Sequence, residues 1–298
     1  MKKMIIAFVL LAFSQAAVAQ LKNVEHVILI GVDGFGAYAF EKAEIPNIRS
    51  LMKRGSWSLE ARSVLPSSSA VNWASMLMGA GPELHGFTTW GSKKPDMPSR
   101  VLDKYGMFPS VYGLLREKEP NAEIGVIYEW EGIGYLFPKE AVDLDRHCAS
   151  DSISAATAID YIREKKPDFL FLYFHNVDVT GHQTGHDTPA YYEAVEGVDA
   201  HIGQVLEVIG EAGMKDNTVV MLSADHGGTG KGHGGVSMAE MQIPWIIAGP
   251  GIKQDYEVQG SIMTFDTAAT LARIFGLQPP QVWIGRAVNE VFTADAEP

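Results

Sequence analysis

Phe169-Leu-Phe-Leu-Tyr-Phe174 runs directly into His175-Asn-Val-Asp178-Val-Thr-Gly-His182, and this junction decides how the chain reads. Six consecutive apolar residues, with no polar alternation, describe a strand buried on both faces. A strand end fixes the directions of the side chains beyond it, and Asp with neutral His suits a divalent metal such as zinc. The arrangement recurs. Val219-Val-Met-Leu222 is followed by Asp225-His226-Gly227-Gly228, Val27-Ile-Leu-Ile30 leads to Asp33, and His233 lies seven residues beyond His226. Singly, each is a loop residue with an ordinary hydrogen bond. Five or six at strand ends point to a metal site.

Outward from these junctions, apolar runs near 24–32, 123–129, 168–174, 218–224 and 243–248 alternate with helical patterns. Pro46 to Arg54, Ser154 to Lys165 and Ala190 to Ile209 carry helical spacing, and Asp266-Thr267 reads as the cap of a last helix closed by Gly276. This alternation predicts an α/β fold, a mainly parallel central sheet with helices on both faces. Such sheets place their sites beyond the carboxyl ends of the strands, so Asp33, Asp178 and Asp225-His226 should meet in space. No repeat or linker divides the chain, and residues 20–298 read as a single domain. The stretch from Gly86 to Met107 reads as an insertion that shapes a cleft.

The composition, 46% hydrophobic and 20% charged over 298 residues, is that of a globular domain. A net charge of −12 disfavours a general nucleic-acid binder, because phosphate backbones reward the opposite sign. Residues 1–19 read as a signal peptide: Lys2-Lys3, an apolar run from Ile5 to Phe13, and Ala17-Val-Ala19 before Gln20. The run is short for a bilayer span, and no second span follows. The expected location is exported, periplasmic or secreted, with no transmembrane segment once the signal is removed. The lone Cys148 cannot form an internal disulfide and reads as a packing residue.

Pro66-Ser67-Ser68-Ser69-Ala70-Val71-Asn72-Trp73 opens a further apolar helical run. A serine there is first of all a helix N-cap. It is also a hydroxyl held where free N–H groups and the helix dipole favour a phosphate. Together the motifs resemble the alkaline phosphatase superfamily, most closely its type I phosphodiesterase/nucleotide pyrophosphatase branch. The matching stretches are Val32-Asp33-Gly34, Pro66 to Ser69, Gly79 to Gly86, Val177 to His182, and Ser223 to Gly227. Ile243 to Gly251 and Asp266 to Leu271 resemble the superfamily's closing strand and helix.

The resemblance implies two zinc ions. Asp178, His182 and His233 would hold one, and Asp33, Asp225 and His226 the other, with deprotonated Ser69 as its fourth ligand. It also implies phosphoester hydrolysis through a phosphoseryl intermediate on Ser69, with Ser68 as the alternative nucleophile. The Ala70 N–H would hold a non-bridging oxygen. His85, His175, His186 and His201 read as structural, with His175 and His186 able to line the cleft. Two departures bear on the substrate. The sulfatase branch places Cys or Ser two residues before Pro and four before Arg, a pattern absent around Ser67 to Ser69. The phosphodiesterase branch has a phosphate-binding Asn where this chain has Trp90, whose indole can donate a single bond. A phosphodiesterase or nucleotide pyrophosphatase is the leading expectation, with a phosphomonoesterase close behind and a non-catalytic metal-binding protein third. A small phosphoester is the expected substrate. Arg62, Lys93, Lys94, Arg100 and Arg146 are candidate cations for a dianionic phosphate, and oligomeric state is open.

Overall fold

The computed structural model describes residues 20–296, so the expected signal peptide lies outside the described residues. Eight strands form one sheet: β1 (His26–Val32), β2 (Gly55–Arg62), β3 (Ile124–Tyr128), β4 (Leu144–His147), β5 (Phe169–Phe174), β6 (Thr218–Ser223), β7 (Gln242–Ala248) and β8 (Tyr256–Glu257). The helices are α1 (Pro46–Lys53), α2 (Ser69–Met78), α3 (Pro82–His85), α4 (Val111–Lys118), α5 (Asp151–Lys165), α6 (Asn176–Thr184), α7 (Pro189–Glu211), α8 (Met238–Met241) and α9 (Asp266–Phe275). The strand order is β4-β3-β5-β1-β6-β7-β2-β8. β4, β3, β5, β1 and β6 run parallel, and β7 is antiparallel to both β6 and β2.

The five apolar runs all form strands, and β1, β5 and β6 are buried along their whole length. Helices close both faces: α7 packs on α1, α5 and α6, while α2 packs on α4 and α9. No helix among the described residues is long and apolar enough to cross a membrane. Three strands lie outside the apolar runs. In β2 the buried positions include Ser56 and Ser58, so hydrophobicity does not mark its inner face. β4 is a mostly exposed edge strand, and β8 has two residues.

The reading of α9 needs correction. Asp266 is not a cap but the first helical residue, and Phe265 caps by position without a side-chain bond. The Asp266 carboxylate instead accepts the Met263 and Arg286 N–H groups, each at 2.8 Å, and so ties the helix start to the C-terminal segment.

Candidate functional site

The parallel order brings the ends of β5, β1 and β6 side by side, and the three acidic segments emerge there together. Asp33 follows β1, Asp178 sits in the first turn of α6, and Asp225-His226 follows β6. All six expected metal ligands converge. His182 Nε2 lies 3.4 Å from Asp178 Oδ2, and His233 Nε2 lies 3.8 Å from Asp178 Oδ1 and 3.2 Å from His182 Nε2. His226 Nε2 lies 3.5 Å from Asp33 Oδ1 and 3.1 Å from Asp225 Oδ2. The His226 and His233 rings stack at 3.7 Å between the two groups. Asp178 also clusters with Asp33 and His226, so it belongs to both.

The donor set fits bound cations. Each of the three imidazoles turns Nδ1 towards a backbone carbonyl: His182 to Lys231 (2.9 Å), His226 to Gly227 (2.8 Å) and His233 to Ser67 (3.0 Å). A carbonyl only accepts, so Nδ1 carries the proton and the neutral ring presents its Nε2 lone pair to the site. Those lone pairs face carboxylates whose Asp33 Oδ1, Asp178 Oδ1 and Asp225 Oδ2 are buried without a hydrogen-bond partner. Acceptor against acceptor in a buried site is relieved by a cation.

Without one, protons redistribute. Burial, then the neighbouring Asp178, pushes Asp33 up to about 6. Burial, then Asp33 and Asp178, raises Asp225 well above the carboxylate range. Burial would raise Asp178 too, but the His182 hydrogen bond and nearby histidines hold it well below that range. The Asp178 hydrogen bond lifts His182 to about 9, whereas burial, then His233, lowers His226 to about 3.

The serines divide the two readings of their cluster. Ser68 is the N-cap of α2 by position, yet its hydroxyl makes no cap bond and has no partner. Ser67 Oγ donates to the Gly235 carbonyl at 2.8 Å and accepts the Gly234 N–H at 3.2 Å, anchoring the loop that carries His233. Ser69 Oγ lies 3.2 Å from His226 Nε2. The Ala70 N–H does not face the site as expected. It donates to the Trp90 carbonyl at 3.1 Å, which fixes the expected cleft segment on the helix start.

A cavity of about 800 Å³ opens over Ser69, walled by Thr88, Thr89, Trp90, Trp130, His175 and Val179 among others. Its wall contains no Lys or Arg among the described residues. The five candidate cations therefore stand elsewhere, with Lys93 paired to Glu131 at 3.4 Å. Of the remaining histidines, His175 lines the cavity 4.0 Å from Asp178. His85 is buried against Ser75 Oγ at 3.0 Å, and His201 lies 3.3 Å from Ser152 Oγ. His186 is buried beneath the site rather than in the cavity wall. Cys148 is a buried packing residue.

Several supporting groups carry no motif in the sequence. Tyr173 Oη and Trp73 Nε1 (3.3 Å) both donate to Asp33 Oδ2. Gly31 makes room for that indole: a Cβ there would lie 2.6 Å from the Trp73 ring. Asn72 accepts the Val64 N–H at 2.7 Å and donates to the Val64, Pro66 and Ser68 carbonyls, clamping the loop that delivers Ser69.

Three similarities place this geometry. A venom phosphodiesterase from Crotalus durissus collilineatus is 24% identical over 214 residues, covering 67% of this chain and 26% of the relative. The chain thus spans about a quarter of that curated protein's length. An inactive murine ectonucleotide pyrophosphatase / phosphodiesterase 5 in complex with AMP superposes with a TM-score of 0.73 at 16% identity, over 90% of this chain and all of that one. The 2-O glycosaminoglycan sulfatase BT1596 gives a TM-score of 0.73 at 17% identity, over 89% of this chain and 73% of the other. The fold is therefore the alkaline-phosphatase-like one. Since the type I phosphodiesterase / nucleotide pyrophosphatase family model matches residues 27–105 and 125–239, the chain belongs to that family.

Proposed function

We propose that the protein is a two-metal phosphodiesterase of the nucleotide pyrophosphatase kind, with Ser69 as its nucleophile. The observation that carries this reading is the convergence of three Nε2 lone pairs and three unpartnered carboxylate oxygens beside the Ser69 hydroxyl. Asp178, His182 and His233 would hold one ion, and Asp33, Asp225 and His226 the other. Zinc suits these donors, and a pair of such ions supplies Lewis-acid stabilisation of phosphoryl charge and makes a nearby hydroxyl more acidic.

The chain's own residues do the rest. The Asn72 clamp and the start of α2 hold Ser69 Oγ at the cavity floor, aligned by its loop rather than by rotamer freedom. Attack by Ser69 Oγ forms a new P–O bond as the bond to the first alcohol breaks, and that alcohol departs with a proton. Ser69 is then esterified to a phosphoryl group that keeps its second ester. Water attacks in turn, Ser69 Oγ leaves and regains its proton, and a phosphate monoester is released.

Diester is favoured over monoester by charge. A monoester dianion needs more positive charge than a diester monoanion, and the cavity wall has no Lys or Arg among the described residues. Thr88, Thr89, Trp90 and Trp130 instead line the cavity with uncharged surface, the two threonine hydroxyls being engaged with Asp96 and Ser92, and this suits an uncharged ester group. The test compares kcat/KM for bis-p-nitrophenyl phosphate and p-nitrophenyl phosphate on zinc-loaded protein. Diester preference is expected, and monoester preference overturns it. Intact-mass detection of a phosphoester adduct on Ser69 after rapid acid quench supports the covalent route, whereas an adduct on Ser68 reassigns the nucleophile.

A further inference from the structure

His186 lies outside the wall of the cavity over Ser69, yet its ring fills a slot between two ligand-bearing segments. It is 5% exposed. On one side lies Gly181, the residue before His182, where an added Cβ would fall 2.4 Å from His186 Nε2. On the other lies Gly228, two residues past His226, where a Cβ would fall 2.3 Å from the same atom. At both glycines the three nearest atoms all belong to this one ring. Its Nε2 is buried with no hydrogen-bond partner and its Nδ1 meets the Gly230 carbonyl at 3.3 Å, so between the two glycines what the ring contributes is thickness.

The surrounding bonds make that thickness consequential. The His186 N–H donates to the Gly230 carbonyl, His182 Nδ1 to the Lys231 carbonyl at 2.9 Å, and Lys231 Nζ to the Gln183 carbonyl at 2.7 Å. The end of α6 is thus laced to the turn that joins His226 to His233. Beneath, the His186 ring packs 5.4 Å from Tyr191, whose hydroxyl donates to the Gly34 carbonyl at 2.8 Å and accepts the Gly36 N–H at 3.1 Å. All three segments that carry ligands therefore rest on one His186–Tyr191 layer. Backbones laced at their edges can still close or spread about the middle, and the ring is what stands in the middle.

We propose that His186 is a positioning residue whose ring sets the spacing between the two metal clusters. This rests on the two-metal reading above. Ligand-supporting groups of this kind change metal affinity about 10–100-fold when removed, without contacting the metal.

The test uses the mature protein loaded with manganese, because two Mn(II) ions held close together give an exchange-coupled EPR spectrum. In wild-type protein a coupled pair is expected. His186→Ala should let the segments close, change the coupling, and weaken retention of one ion about 10–100-fold on dialysis. Gly228→Ala, which wedges a methyl against the ring, should change the coupling while leaving all ligands in place. The double variant His186→Ala/Gly228→Ala should move the coupling back towards wild type, since the new methyl occupies vacated space. If His186→Ala does not fold, Gly228→Ala carries the test alone. Unchanged coupling in the folded variants overturns the spacer while leaving the two-metal reading intact. Altered single variants with no recovery in the double also overturn it. Wild-type protein with only uncoupled manganese overturns the two-metal reading, and the spacer with it.

Discussion

Three adjacent serines with one kind of hydroxyl have three different surroundings, and this permits a sharp comparison. Ser69→Ala should keep both ions and the fold, because the six Asp and His ligands remain, while turnover of an aryl diester falls by orders of magnitude. Ser68→Ala should be nearly silent, since the Ser68 hydroxyl has no partner to lose. Metal content, melting temperature and turnover on both variants check this; near-normal turnover in Ser69→Ala removes it as nucleophile. His182 gives a second test. Its folded value of about 9 lies above the ordinary 6.5, so metal-free protein holds that stabilisation in full below 6.5 and loses it as pH rises through 9. Asp33, raised from 3.8 to about 6, acts in the same direction at lower pH. Chelated protein should therefore melt at progressively lower temperature from pH 6.5 to 9, while metal affinity rises over that window as the competing proton leaves. A flat or rising melting temperature across it would refute the assignment. The clustered carboxylates were legible because Asp33, Asp178 and Asp225 each follow an apolar run, whereas His233 stands in a glycine-rich turn beyond one. Tyr173, Trp73 and His186 were not, since what they support is fixed by packing between distant segments. The Ala70 N–H was misread because no sequence pattern reveals that the Trp90 carbonyl folds back onto it.

At the scale of elements, α2 and the loop before it act as one part. Asn72 makes four bonds to that loop, and Asn72→Ala would leave the Val64 N–H buried without its acceptor. The expected cost is about 1–3 kcal/mol by urea denaturation. Turnover should fall more than substrate KM rises, because the loss is one of Ser69 placement. Unaltered stability would show that the loop is held by its other contacts. Strands with both faces buried announce themselves in sequence as unbroken apolar runs, and β1, β3, β5, β6 and β7 were legible for that reason. β2 hides because serines occupy its inner positions, and Asp266 misleads because an acidic residue at a helix start serves a distant backbone equally well.

For the whole molecule, removing metal should lower the melting temperature and make it insensitive to added chelator, whereas restoring zinc should recover both stability and turnover. Scanning calorimetry with and without chelator checks this; identical transitions would mean that no ion contributes to the fold. The overall charge of −12 draws cations towards the molecule generally. Asp178 makes their arrival unequal. Because its carboxylate stands in both candidate groups, in the proposed two-ion site the first ion to bind would take up charge that the second would otherwise feel, and would then repel it across a short, poorly screened distance. Loading of the proposed two-ion site should therefore be a sequence of a tight step and a weaker one. In scarce metal the population should consist mainly of half-filled molecules, and turnover plotted against added zinc should lag through the first equivalent before it climbs.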